Sequence, residues 1–191
     1  MDYIITALIS YLFGSIPFGY IFIKIFLKKD IRDVGSGNIG ATNVLRTGNK
    51  RLGYLTLILD IIKAIIPVIY IKLYYPDLIF ISALCAFLGH LFPVWLKCDG
   101  GKGVATFVGI LISINIYYAL IFGIIWVLTF IISKYSSLSS LIASISIPIY
   151  IIILGNGNFI FFTIMFVLIF YTHRENIKRL INKEETKSKI Y

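Results

Sequence analysis

Long apolar runs separated by short polar loops leave this chain little choice of solvent. Residues 4–27, 52–71 and 78–96 each approach the roughly 20 residues a helix needs to cross a hydrocarbon layer. The runs lack the period-2 alternation of barrel strands. Backbone polar groups in lipid must also be satisfied within the segment, so helices are predicted. Composition agrees: 59% of the residues are hydrophobic and 14% charged, with mean hydropathy +0.91. A soluble domain carries about 45–50% apolar and about 25% charged residues, which argues against a water-soluble fold.

Seven spans are expected in the 191 residues. After the first three come a short fourth at 104–115, then 117–132, 141–154 and 159–171. The breaks are Asn115, the serines between 136 and 140, and Gly155-Asn156-Gly157-Asn158. An odd count places the termini on opposite sides. Fifteen of the 18 basic residues then share the loops of one side, with Lys72 opposite and Lys24 and Lys63 inside spans. By the positive-inside bias the N-terminus lies outside and the C-terminus in the cytoplasm. Residues 1–191 read as a single membrane-embedded domain with a basic tail from about 172. The first span reads as retained, since no basic leader or small-residue cleavage site precedes it.

The net charge of +9 does not imply a nucleic-acid partner, because the cations are scattered between spans rather than gathered in a soluble module. Cys85 and Cys98 have neither metal-ligand spacing nor a secreted context. No zinc site is visible, and His90 is expected to hydrogen-bond backbone and hold the loop after it. Within the second span, Asp60 and Lys63 are spaced i, i+3 and are expected to pair as structural support.

Three polar segments on the basic side carry unusual chemistry. In Gly35-Ser36-Gly37-Asn38-Ile39-Gly40-Ala41-Thr42-Asn43-Val44-Leu45-Arg46, glycines free the backbone to turn N–H groups toward an anion, and Arg46 supplies a guanidinium fork. A tight linker rich in turn residues is the alternative. In Asp99-Gly100-Gly101-Lys102-Gly103-Val104-Ala105-Thr106, glycines and a lysine precede a helix N-terminus, where orphan N–H groups favour an anion; a helix-breaking hinge is the alternative. The spacing is not that of a nucleotide-binding Walker loop. In His173-Arg174-Glu175-Asn176-Ile177-Lys178-Arg179-Leu180, His173 and Asn176 share a face if the helix continues; a basic tail drawn to anionic lipid is the plainer account. Ser136, Ser137, Ser139 and Ser140 precede the sixth span, one of them expected as its N-cap.

Taken together, GSGNIGATNVLR, GHLFPVWLKCDGGKGVAT and HRENIKRL, in that order, resemble the bacterial acyl-phosphate:glycerol-3-phosphate acyltransferase family nearly end to end. The resemblance implies a seven-helix enzyme of the bacterial cell membrane with a cytoplasmic active site. It implies transfer of an acyl group from acyl-phosphate to the sn-1 hydroxyl of glycerol 3-phosphate, the first acylation of phospholipid synthesis, with no cofactor, metal or obligate protein partner. By matching position it implies catalytic roles for Ser36, Arg46, Lys102, His173 and Asn176. Substrate or phosphate binding would fall to Asn38, Thr42, Asn43, Gly100, Gly101, Gly103, Ser137 and Arg179. The chain departs from the family's common residues at Ala64, at Cys98-Asp99, and at Lys183, where a glycine is common. The H-x-x-x-x-D pair of other acyltransferases is absent.

An acyl-phosphate carries a good leaving group, so direct attack by a positioned hydroxyl suffices without an acyl-enzyme. The proton acceptor is either the donor's own phosphate, which is preferred, or His173. A transporter is the main rival; it would place polar residues near the midplane and often shows inverted repeats, neither of which is found. A non-catalytic scaffold is the second rival.

Overall fold

Pro17 sets the first local event in the computed structural model, which describes residues 2–155 and 157–187. Helix α1 (Tyr3–Gly14) starts where the Asp2 carboxylate accepts from Ile4 N. It stops before Pro17, which has no N–H to continue the ladder. A short α2 (Phe18–Phe22) and a π turn (Ile23–Leu27) complete the first apolar stretch. Next come α3 (Ala41–Arg46), α4 (Lys50–Tyr74), α5 (Ile79–Leu91) and α6 (Val104–Ile114). The rest are α7 (Ile116–Ser133), α8 (Ser136–Leu154), α9 (Phe159–Thr172) and α10 (Arg174–Ile181). Among the described residues the fold is all-helical, as the apolar runs predict.

Five stretches are long and apolar enough to cross a membrane: Tyr3–Leu27, Lys50–Tyr74, Pro76–Leu96, Ile116–Ser133 and Ser136–Leu154. A sixth counts if α9 and α10, bent by 62° at His173, form one broken span. The fourth predicted span is the 11-residue α6, too short to cross by length alone. Large apolar side chains such as Ile4, Ile58, Ile132 and Ile160 lie exposed along these helices, as expected where lipid rather than water is the solvent.

Two units, divided between Ile114 and Asn115, are each held internally. In the first, small residues let helices touch through their backbones, the usual route to close packing in lipid. A side chain at Gly14 would strike the Ala86 carbonyl and one at Gly89 the Tyr11 carbonyl, so α1 and α5 meet without a spacer. Ser10 and Ser82 hydrogen-bond across that seam at 2.8 Å. Gly109 of α6 packs likewise on the Ile61 carbonyl of α4. Lys72 caps the C-terminus of α6, donating to the Ser113 and Ile114 carbonyls at 2.8 and 3.0 Å, where a cation meets the negative helix end.

In the second unit, Tyr118 of α7 stacks edge-on against Tyr150 and Phe162, and Trp126 donates to Ser140 at 3.0 Å. The serines correct one expectation: they lie inside α8 rather than before it. None serves as a side-chain N-cap, because Tyr135 holds that position. Ser139 and Ser140 instead bond back to the carbonyls of Tyr135 and Ser136. Back-bonding of this kind satisfies a hydroxyl inside an apolar helix.

Candidate active site

The first polar loop is built around Asn43, whose side chain is buried. Its Oδ1 accepts from Ser36 N at 2.9 Å. Its Nδ2 donates to the carbonyls of Ile31, Val34 and Asn38 at 3.2, 2.8 and 2.8 Å. One amide therefore closes the loop on itself. Gly35 and Gly37 turn the chain with φ of 58° and 71°, in the left-handed region where a side chain is strained. Asn38 accepts from Gly40 N at 3.0 Å and launches α3. Beneath lie Ile23, Ile31, Ile39, Val44, Leu52 and Leu96, a single hydrophobic cluster. Before the loop, Asp30 holds Arg32 in an ion pair, and the guanidinium hydrogen bond keeps the Asp30 carboxyl down at about 2.

This frame leaves Ser36 and Thr42 exposed and Arg46 half-buried in the last turn of α3. The aliphatic part of Arg46 passes close to Gly35, so the glycine makes room for it. Asn43, expected among the substrate-binding residues, has its amide engaged by the loop backbone.

The second loop leaves α5 through Phe92 and Pro93 and returns at α6. Tyr11 donates to Phe92 O at 2.7 Å and accepts from Val94 N at 3.2 Å, and Trp95 donates to Ser15 at 2.8 Å. Leu96 enters the hydrophobic cluster beneath the first loop, so the two loops share one support. Gly100 N donates to Leu91 O at 3.1 Å and Gly101 N to His90 O at 3.0 Å, so these two N–H groups close off the end of α5. A Cβ at Gly101 would strike the His90 ring, and one at Gly103 would strike Phe87. Lys102 is half-buried and stands two residues before α6, whose first turn leaves N–H groups without an intrahelical acceptor. Thr106, buried in that turn, has a hydroxyl with no hydrogen-bond partner among the described residues.

Asp60 and Lys63 pair at 2.8 Å as expected. His90 differs from expectation: its ring Nδ1 lies 2.9 Å from Lys63 Nζ, while its own backbone carbonyl holds the loop. Among the described residues no cluster of metal-ligating side chains occurs.

The third segment lies in the second unit. His173 ends α9 and begins α10, buried at the 62° bend, with Nδ1 2.8 Å from Ile169 O. Asn176 is buried one turn on. Glu185 joins what the sequence left separate. Its carboxylate accepts from Ser137 at 2.8 Å, Asn176 at 2.7 Å and Arg179 at 2.7 Å. Burial alone would raise this carboxyl; the bonds from Arg179, Asn176 and Ser137 outweigh it and hold the group below its ordinary range. Glu185 was missed because its reach depends on a turn in which Glu184 N and Glu185 N both donate to Arg179 O. The legible signal was Lys183, at a position where the resembled family favours glycine. Its φ is 61°, the left-handed conformation a glycine supplies most easily.

A family model described as glycerol-3-phosphate acyltransferase matches residues 4–183. A glycerol-3-phosphate acyltransferase of Pelagibacter ubique (strain HTCC1062) is 71% identical over the full length of both chains. One of Rhodopseudomonas palustris (strain HaA2) is 48% identical, covering 98% of this chain and 95% of its own. Among solved structures, PlsY (YgiH), an integral membrane glycerol 3-phosphate acyltransferase, superposes in its glycerol 3-phosphate form with TM-score 0.92. That match has 35% identity and covers 98% of this chain and 96% of the other. Its lysophosphatidic acid form gives 0.89 at 34% identity, covering 98% and 95%.

Proposed function

Because this chain belongs to the glycerol-3-phosphate acyltransferase family, we propose that it transfers a fatty acyl group from acyl-phosphate to the sn-1 hydroxyl of glycerol 3-phosphate at the cytoplasmic face of a bacterial cell membrane. The observation that carries the site assignment is the shared hydrophobic support of two loops, one bearing Arg46 and the other leading to Lys102. Two cationic residues carried by loops on one support suit substrates that both carry phosphate. The glycerol 3-phosphate and lysophosphatidic acid forms of the solved relative support the acceptor and the product.

In this reading the hydroxyl oxygen of glycerol 3-phosphate attacks the acyl carbonyl carbon. The bond from that carbon to the phosphate oxygen breaks, and the hydroxyl proton passes to the departing phosphate. The products are 1-acyl-glycerol 3-phosphate and inorganic phosphate. The protein's work is to place two anions together and neutralise them. Arg46 and Lys102 supply charge, and Ser36 and the first turn of α6 supply donors where charge develops. In the second unit, considered by itself, Glu185 orients Ser137 and Asn176, which suits those two side chains to a polar ligand.

Seven spans follow if α6 and α9 each cross with tilt or local thinning, α9 being the last. The basic loops then lie in the cytoplasm and the N-terminus outside.

The donor and the position acylated are tested together. Purified protein in lipid is given acyl-phosphate, acyl-CoA or acyl-carrier protein with glycerol 3-phosphate, and the product is mapped by phosphorus and proton NMR. Product from acyl-phosphate alone, acylated at sn-1, is expected. Equal turnover of acyl-CoA, or acylation at the second hydroxyl, contradicts the reading.

A further inference from the structure

Lys63 is an unusual lysine. Its ammonium is almost fully buried, and three acceptors surround it: Ile16 O at 2.7 Å, Asp60 Oδ1 at 2.8 Å and His90 Nδ1 at 2.9 Å. The three come from different places. Ile16 lies in the break between α1 and α2, where Pro17 interrupts the backbone ladder, Asp60 lies on α4, and His90 lies in the last turn of α5. Asp60 Oδ1 has no aligned hydrogen bond among the described residues, so its approach to the ammonium is ionic in character. An ammonium has three donors and no acceptor, so His90 Nδ1 must accept and the ring proton must sit on Nε2. Lys63 thus fixes both the tautomer and the rotation of the imidazole.

The other edge of that imidazole is the seat of Gly101, since a Cβ there would overlap Nε2. The His90 carbonyl accepts Gly101 N at 3.0 Å on the same turn. Lys102 is the next residue. A buried cation in a membrane protein is expensive unless its surroundings need it, and full satisfaction offsets that expense without explaining why a lysine stands there. The arrangement explains it: the ammonium holds one side of the ring and the loop rests on the other.

We propose that Lys63 and His90, with Asp60 as counter-ion, are positioning residues that set the register of Gly100–Gly103 and so place Lys102 for a substrate phosphate. This rests on the reading that Lys102 meets such a phosphate. None of the three touches substrate; they act through the loop. A role in stability alone would change how much protein is active, lowering kcat at unchanged KM. A role in positioning changes KM for the phosphate-bearing ligand.

The test uses full-length protein in lipid. The charge-neutral pair Asp60→Asn with Lys63→Met removes the ammonium without orphaning a carboxylate. His90→Asn keeps an acceptor for Lys63 but removes the edge under Gly101, and serves if the pair does not fold. Steady-state kinetics are measured for acyl-phosphate and glycerol 3-phosphate, with inorganic phosphate as competing ligand. Lys102→Met is run in parallel. The expected result, in protein with a thermal midpoint close to wild type, is a rise of about tenfold or more in one substrate's KM and in the inhibition constant of phosphate, with a smaller change in kcat. Wild-type KM values in folded variants, while Lys102→Met is impaired, overturn the positioning role and leave the site reading intact. An unimpaired Lys102→Met overturns both.

Discussion

At the scale of single residues, two side chains carry more structure than their type suggests. Asn43 satisfies four backbone groups of the first loop with one amide, so no hydrophobic or shorter side chain replaces it. Asn43→Ala is expected to lower stability by about 2 kcal/mol or more, since each buried polar group left unpaired costs about 1–3 kcal/mol. It should also reduce activity by displacing Ser36. A midpoint and a turnover equal to wild type would show that the loop does not need it. Lys183 makes the opposite point. Its left-handed backbone carries a penalty of about 1–2 kcal/mol for a residue with a Cβ, so Lys183→Gly is expected to stabilise the C-terminal turn by about 1 kcal/mol. Thermal unfolding in detergent checks this; a lowered midpoint would mean that the lysine side chain holds the turn.

At the scale of elements, the C-terminal segment depends on protonation. The folded Glu185 carboxyl lies below its ordinary value, so its contribution to docking the segment is present above the ordinary glutamate range and is lost as pH falls through the folded value. Glu185→Gln should remove that acid dependence and loosen Ser137, Asn176 and Arg179 at neutral pH, seen as faster amide exchange in α10. Unchanged exchange would mean that the three hold without it. The limits of reading the sequence appear at this same scale. Apolar length locates the helices to within a few residues, except for the start of α8, and glycine with lysine or arginine marks the first two loops. What stays hidden is which group each polar residue satisfies. Nothing in the spacing reveals that Gly100 and Gly101 close off α5, or that Lys63 reaches both His90 and Ile16, because those contacts join residues far apart in sequence. The serines mislead for a related reason: local cap preference points to an N-cap, and back-bonding inside α8 prevails.

At the scale of the whole molecule, the proposed orientation rests on the loops that carry charge. Cys98 is exposed in the second of these and Cys85 is half-buried in α5, so the chain carries its own topology probe. A membrane-impermeant maleimide should label Cys98 in inside-out vesicles and leave it unmodified in intact cells. Labelling from outside would invert the orientation. The chemistry is tested most directly by release of inorganic phosphate from palmitoyl-phosphate by purified protein in lipid, with and without glycerol 3-phosphate, beside Arg46→Ala. Release that depends on the acceptor and falls at least about 10²-fold in the variant is predicted, the scale of losing one donor to developing charge. Folded protein that releases no phosphate, or releases it equally without acceptor, would contradict the acyltransferase account.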